Sequence, residues 1–161
     1  MSKISIEEMR DAQEFITYDK WSTPFTNCIA YALGCPISDP KRETWNDLLS
    51  GNPEKKLYDI LMILGLNPRR IHDTSELRNG EYGIVLYNYF YKEHRSFCGC
   101  EWTEDVEECH LVRVELDGTW THKFGWDYEP SVTTPQEIHD IILRDDGEDV
   151  SPSCFFAIRK P

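Results

Sequence analysis

The amino-acid sequence predicts a single domain of the α+β class. Helix signals fill the first half of the chain, whereas from Tyr82 onward the sequence is dense in β-forming residues and turn signals. Helices followed by a largely antiparallel sheet are typical of that class. The length of 161 residues suits one domain with its own core, so we expect residues 1–161 to fold as one unit.

Two helices are predicted before residue 50. Ser5-Ile6-Glu7-Glu8 has the pattern of a capping box, which predicts a helix from about Ile6 to Ile16. A second, shorter helix is predicted in the stretch TNCIAYALG, where Cys28 lies in the first turn and Gly34 closes the helix in a left-handed conformation.

Two further helices have clear boundaries. Asn52 and Pro53 suit the cap and the first position of a helix that Gly65 ends, and Thr134-Pro135 begins another that continues to about Leu143. The apolar stripe of the first of these helices predicts a core contact and indicates no chemistry.

The strands are predicted from runs of β-formers between turns. A first strand follows the turn Asn79-Gly80, and Cys154 to Ile158 form the last strand. Between them we expect a hairpin, with Cys109 to Leu116 as one strand and Thr119 to Phe124 as the other. The charged stretch 92–108 is interpreted as an excursion inserted between strands.

Alternation along the hairpin predicts which side chains share a face. His110, Val112 and Val114 alternate with Arg113, so the even positions are expected to face inward. The inner faces of both strands coincide only if the loop has three residues and ends in a left-handed Gly118, which places Val112 opposite His122. His110 and His122 are then diagonal neighbours on one surface.

Cys28 and the two histidines fit the roles of a thiol-dependent catalytic site. At the start of a helix the dipole and the unpaired N–H groups stabilise a thiolate and an oxyanion. A cysteine nucleophile needs a base, and the base needs a polar group that orients it, which are the roles of His110 and His122 in that order. The alternative is structural: a small buried cysteine and two hydrogen-bonded core histidines.

Two segments resemble papain-like cysteine hydrolases of the compact bacterial and phage kind, which include NlpC-type cell-wall endopeptidases and their amidase relatives. They are Asn27-Cys28 at the start of the TNCIAYALG helix and His110 at the head of a strand in CHLVRVELDGTWTHK. The resemblance implies a papain-like fold, with N-terminal helices packed on an antiparallel sheet, and hydrolysis of a peptide or amide bond without a cofactor. It implies that Cys28 is the nucleophile, His110 the base and His122 the orienting residue, with Asn27 supporting the oxyanion.

Two alternatives to a hydrolase remain open from the sequence. Cys98, Cys100, Cys109 and His110 offer four ligands for a structural zinc ion, although one residue between Cys98 and Cys100 is tighter than the usual spacing of about two to four. A papain-like scaffold that binds a partner and catalyses nothing is the other alternative, since fold does not imply activity.

Charge and cysteine content restrict the partners. The chain has 29 acidic and 17 basic residues, a net charge of −12, which disfavours nucleic acid and anionic membrane surfaces and leaves a basic protein as the easier partner. The N-terminal residues have no apolar signal region, which predicts a cytoplasmic protein whose six cysteines are reduced, with delivery elsewhere left open. The extra cysteines and the acidic charge depart from the pattern of enzymes that act on anionic cell walls, and leave the substrate open.

Overall fold

The computed structural model describes residue 32 and residues 51–63, 65–122, 131–144 and 150–160. Besides the single helical residue Ala32 and a short 3-10 helix at Thr74–Glu76, two α-helices and six strands lie within these ranges. They are α1 (Pro53–Ile63), β1 (Arg69–Ile71), β2 (Glu81–Phe97), β3 (Cys100–Val114), β4 (Trp120–His122), β5 (Ser131–Thr133), α2 (Pro135–Arg144) and β6 (Cys154–Arg159).

The strands form one sheet in the order β1-β6-β2-β3-β4-β5, and every neighbouring pair is antiparallel. The long strands β2 and β3 are its centre. Their pairing runs from Gly83 opposite Val114 to Phe97 opposite Cys100, so one hairpin extends from the core to a distant tip.

Helix α2 covers one face of the sheet. Its N-terminus is capped by Thr134, whose hydroxyl accepts a hydrogen bond from the Glu137 N–H at 3.1 Å. Ile138 and Ile142 of α2 belong to one buried cluster with residues that alternate along β2 and β3. The sheet members of this cluster are Val85, Tyr87, Tyr89, Val112 and Val114.

Helix α1 packs against the opposite face. Its cap is Asn52, whose side-chain oxygen accepts from the Lys55 N–H at 3.3 Å, and the ring of Tyr58 lies 6.1 Å from that of Phe156 on β6. Arg113 of β3 is only 2% exposed on this face, with its guanidinium 3.7 Å from the centre of the Tyr82 ring. The attraction of a cation to an aromatic face helps to offset the removal of this charge from water.

The fold-class prediction is wrong. The described residues form mostly antiparallel sheet with two short helices, rather than the α+β, papain-like arrangement in which N-terminal helices pack on a sheet. The helix boundaries predicted at Asn52 and Thr134, the turn at Asn79-Gly80 and the final strand are confirmed. The helix predicted near residues 6–16 lies outside the described residues, as does the one that begins at Cys28 except for Ala32.

The stretch 92–108, which we interpreted as an excursion, is itself β structure and accounts for much of this difference. It consists of the outer parts of β2 and β3, and residues 94–105 are all exposed. We call residues 92–105 the outer ribbon. Neither of its faces is a core face, so the apolar alternation that announces a half-buried strand is missing from its sequence.

The prediction that the odd positions of β3 face outward is also wrong. Leu111 and Arg113 are as deeply buried as their even neighbours, because the sheet is covered on both faces along this part of β3. None of the helices in the described ranges has the length and the apolar composition needed to span a bilayer.

Candidate functional site

The hairpin between β3 and β4 has the predicted register. Gly118 has a φ of 88°, and the Glu115 N–H donates to the Thr119 carbonyl at 2.9 Å, which leaves a loop of three residues between them. Arg113 pairs with Thr121, and one further step in the same register places Val112 opposite His122. Glycine adopts positive φ without a steric penalty. Gly118 therefore permits the three-residue loop that places the inward-facing residues of β3 and β4 on the same face of the sheet.

His110 and His122 form a buried pair on the face that α2 covers. His110 is 4% exposed and His122 is 5% exposed. Nε2 of His110 lies 2.9 Å from Nδ1 of His122, and the rings meet edge to face with their centres 5.1 Å apart. The prediction that both histidines share one inner face is therefore confirmed, and they are in direct hydrogen-bond contact.

The hydrogen bond leaves two tautomeric arrangements. If His122 donates from Nδ1, Nε2 of His110 accepts and Nδ1 of His110 carries the proton, so both nitrogens of His110 are occupied. If His110 donates from Nε2, its Nδ1 keeps a lone pair that can accept a proton, and His122 holds its own proton on Nε2. Only the second arrangement makes His110 a base, and it assigns Nδ1 as the reactive atom.

Burial keeps both rings neutral at physiological pH. Desolvation lowers the pKa of His110 from 6.5 to about 3, with a smaller contribution from His122. Desolvation also lowers the pKa of His122, and the negative charge of Glu137 on α2 partly opposes this change. A neutral imidazole is the form that accepts a proton, whereas the imidazolium would require a negative partner within the same buried space.

One neighbour of the pair was missed by the sequence analysis. Tyr87 of β2 is the cross-strand partner of His110 and is 1% exposed, with its pKa raised to about 12 by burial. The sequence from Gly83 to Tyr87 indicates a strand, but it does not indicate that β2 pairs with β3 in a register that places Tyr87 opposite His110. The pairing places a buried tyrosine directly opposite His110 on the face that α2 covers.

Two of the predicted site residues, Cys28 and Asn27, lie outside the described residues. Their assigned roles, nucleophile and oxyanion support, therefore remain predictions. Of the predicted site, the structure brings together His110 and His122. The histidines that we assigned to the surface, His72, His94 and His139, are exposed or partly exposed.

The alternative zinc set is not assembled. Cys98 and Cys100 are exposed at the tip of the outer ribbon, and eight residues of strand lie between Cys100 and Cys109, a distance of about 30 Å at the rise of an extended chain. Cys109 Sγ points to the α1 face, 3.5 Å from the Asn88 side-chain oxygen, whereas His110 points to the α2 face. Among the described residues, no three potential ligands converge on one point.

Comparison of the chain with family models, with curated proteins and with solved structures finds no match.

Proposed function

We propose that the protein is a thiol-dependent hydrolase of peptide or amide bonds in which Cys28 is the nucleophile, His110 the base and His122 the residue that orients His110. The observation that supports this most strongly is the buried hydrogen bond between the two histidines, at 2.9 Å. It supplies a neutral imidazole whose tautomer a second side chain can fix, which is what a thiol nucleophile requires of its base.

In the proposed reaction, Cys28 Sγ attacks the carbonyl carbon while its proton passes to Nδ1 of His110. The carbon–sulfur bond forms, the carbonyl becomes an oxyanion held by the Cys28 N–H with Asn27 in support, and the C–N bond then breaks. His110 returns its proton to the leaving amine. Water next attacks the thioester and gives its proton to His110, which returns it to Cys28 as the acid leaves.

The low pKa of His110 constrains when the proton is transferred in the proposed mechanism. Because burial disfavours an isolated imidazolium, His110 should take the proton as negative charge develops on sulfur, so that the two charges appear together. His122 supports this step by accepting the Nε2 hydrogen of His110 in both protonation states. Glu137 is the negative group on α2 whose field favours charge on the pair.

The substrate class follows from the reaction and from charge. With 29 acidic and 17 basic residues, the net charge of −12 favours the approach of a basic peptide or protein and opposes an anionic polymer. We therefore expect peptide or amide substrates with cationic surroundings.

The first prediction concerns thiol reactivity. Iodoacetamide at about pH 6 to 7 should alkylate Cys28 faster than the other five cysteines, and p-nitrophenyl acetate should leave an acetyl group on Cys28, because a base and a helix start both favour its thiolate. Peptide mapping by mass spectrometry gives the rate for each cysteine. Cys98 and Cys100, which are exposed, provide the internal reference for an accessible thiol.

The comparison of variants separates catalysis from exposure. His110→Ala should lower the alkylation and acetylation rates of Cys28 by at least about tenfold. His94→Ala, which changes an exposed histidine of the outer ribbon, should leave them unchanged. Equal labelling of Cys28 and Cys100 in the native protein, with no effect of His110→Ala, would reject the hydrolase and favour a protein that binds a partner without catalysis.

A further inference from the structure

The four described cysteines fall into two distinct pairs. Cys109 and Cys154 are buried, and burial raises the pKa of the Cys154 thiol to about 11, so these thiols resist reaction. Cys98 and Cys100 are exposed, and they flank Gly99 at the far end of the outer ribbon. The hydrolase proposed above makes no use of either exposed thiol.

The turn that carries the exposed pair is tight and conformationally unusual. Phe97 and Cys100 are the last paired residues, so Cys98 and Gly99 are the only residues of the loop between the strands. Their φ values are 50° and 80°, which corresponds to a turn with positive φ at both central positions. Asn, Asp and Gly are the usual residues there, and a cysteine in the left-handed region is an exception that is most often found at functional sites.

The turn brings the Cα atoms of Cys98 and Cys100 within the separation that a disulfide requires. Consecutive Cα atoms are about 3.8 Å apart, so residues at i and i+2 across a tight bend are separated by about 5.5 Å. Disulfides span about 4.4 to 6.8 Å between Cα atoms. The register between β2 and β3 holds the loop at two residues, which keeps this separation short.

The surroundings of the tip suit an encounter with another molecule. Residues 94–105 are exposed on both faces of the ribbon, and two of them are large aromatic residues beside the thiols, Phe97 at 72% and Trp102 at 42% exposure. Cys100, its cross-strand partner Phe97 and Trp102 lie on one face of the ribbon. Exposed aromatic side chains of this kind provide contact area for a partner.

We propose that Cys98 and Cys100 form a dithiol site that exchanges with disulfides of other molecules. Cys98 at the apex attacks one sulfur of the disulfide, which breaks the S–S bond and releases one thiol that takes up the Cys98 proton. Cys100 then attacks Cys98 Sγ, which breaks the S–S bond of the mixed disulfide, and the second thiol leaves with the Cys100 proton. Two electrons pass to the partner disulfide, and the protein gains an intramolecular Cys98–Cys100 disulfide.

The resulting disulfide should be readily reduced again. A ring closed across a single intervening residue is strained and exposed, and such disulfides are the labile ones. The site would therefore cycle, with any dithiol as the reductant that restores its two thiols. This chemistry is independent of Cys28 and the histidine pair.

The test uses the full chain and a large excess of a peptide disulfide as the probe, because a strained Cys98–Cys100 disulfide accumulates only when the oxidising disulfide is in excess. Reduced native protein should release both probe thiols and lose the mass of two hydrogens, which peptide mapping should place on Cys98 and Cys100. Cys100→Ser should release one thiol and retain the other half of the probe on Cys98, because the resolving thiol is missing. A native protein that accumulates the same stable mixed disulfide would overturn the proposal.

The matched control keeps the turn and removes the thiol. Cys98→Asn places the preferred Asn-Gly pair in this type of turn, so the ribbon should fold at least as well as in the native protein. It should nevertheless form no intramolecular disulfide and should not release both probe thiols, because Cys100 alone can release only one and keeps the other half of the probe. Unchanged release in Cys98→Asn would also overturn the assignment of Cys98 as the attacking thiol.

Discussion

In the proposed mechanism, the hydrogen-bond contact between His110 and His122 gives the two rings different roles. Nε2 of His110 meets Nδ1 of His122, so the only nitrogen of His110 that can take a proton from a nucleophile is Nδ1. His122 must then carry its own proton on Nε2. In the proposed mechanism, His122 therefore holds a lone pair at one defined position, and this requirement can be tested by substitution.

We expect His122→Ala to lower the alkylation rate of Cys28 while the protein stays folded, at a loss of about 1 to 3 kcal/mol in the free energy of unfolding. His122→Asn should restore much of the rate, because the amide oxygen of Asn occupies nearly the position of Nδ1 and can accept the His110 Nε2 hydrogen. His122→Gln places its oxygen one bond farther out and should restore less. Equal rates for Ala, Asn and Gln would show that His122 does not orient His110.

The burial of His110 also predicts how stability depends on pH. In the unfolded chain its pKa returns to 6.5, whereas in the folded protein it is about 3. As pH falls between these values the unfolded state binds a proton that the folded state does not, so the free energy of unfolding should fall by about 1.4 kcal/mol per pH unit from this group. Above about pH 6.5 the contribution vanishes, since both states are neutral.

Urea unfolding between about pH 7.5 and pH 5 measures this slope above the range in which most carboxylates titrate. His110→Asn should reduce the pH dependence, because an amide does not take up the proton. A His110→Asn slope equal to the native one would mean that His110 binds its proton equally in the folded and unfolded states.

At the scale of single elements, the features that could be predicted from the sequence are those controlled by local interactions. Asn52, Thr134 and Gly118 each determine a helix start or a loop through one hydrogen bond or one dihedral angle, and all three could be identified from the sequence. The same applies to the shared face of His110 and His122, since their spacing and the loop length fix it. The site could therefore be predicted in part before its surroundings were known.

The features that could not be predicted from the sequence depend on pairing between strands that are distant along the chain. The outer ribbon has no core face, so its residues carry no alternation, and the strand character of 92–108 becomes visible only through the pairing of β2 with β3. Arg113 gave a misleading signal for a related reason. Its charge suggests an outer face, whereas the Tyr82 ring and the Glu115 carboxylate, 2.7 Å from Nε, accommodate it in the interior.

At the scale of the whole molecule, the two proposed chemistries lie at opposite ends of one hairpin. The histidine pair is next to α2 in the core, and the dithiol is at the tip of the outer ribbon, nine residues of strand beyond Cys109. No helix in the described ranges covers residues 94–105, which are exposed throughout. The ribbon should therefore add little to the stability of the core, because an unsupported pair of strands is only marginally stable.

This arrangement predicts that the outer ribbon can be removed. Replacing residues 92–105 with Asn-Gly would keep the pair Tyr91 and Val106 and close it with a favoured two-residue turn, and it would preserve Glu107, whose carboxylate accepts from the Gly51 N–H at 3.2 Å. The shortened protein should unfold cooperatively within about 1 kcal/mol of the native free energy, since large effects arise from buried groups. Urea unfolding monitored by circular dichroism provides the measurement.

The same variant separates the two proposals. It should retain the reactivity of Cys28 towards iodoacetamide and its dependence on His110, and it should lose the release of thiols from the peptide disulfide, because both exposed cysteines are gone. A filler control, in which the ribbon keeps its length but Cys98 and Cys100 are replaced by Asn and Ser, should match the shortened protein in both assays. The opposite result is that shortening the ribbon abolishes the reactivity of Cys28 while the filler control keeps it. That result would show that the ribbon contributes to the histidine site. The proposal that the histidine site and the dithiol site act independently would then be wrong.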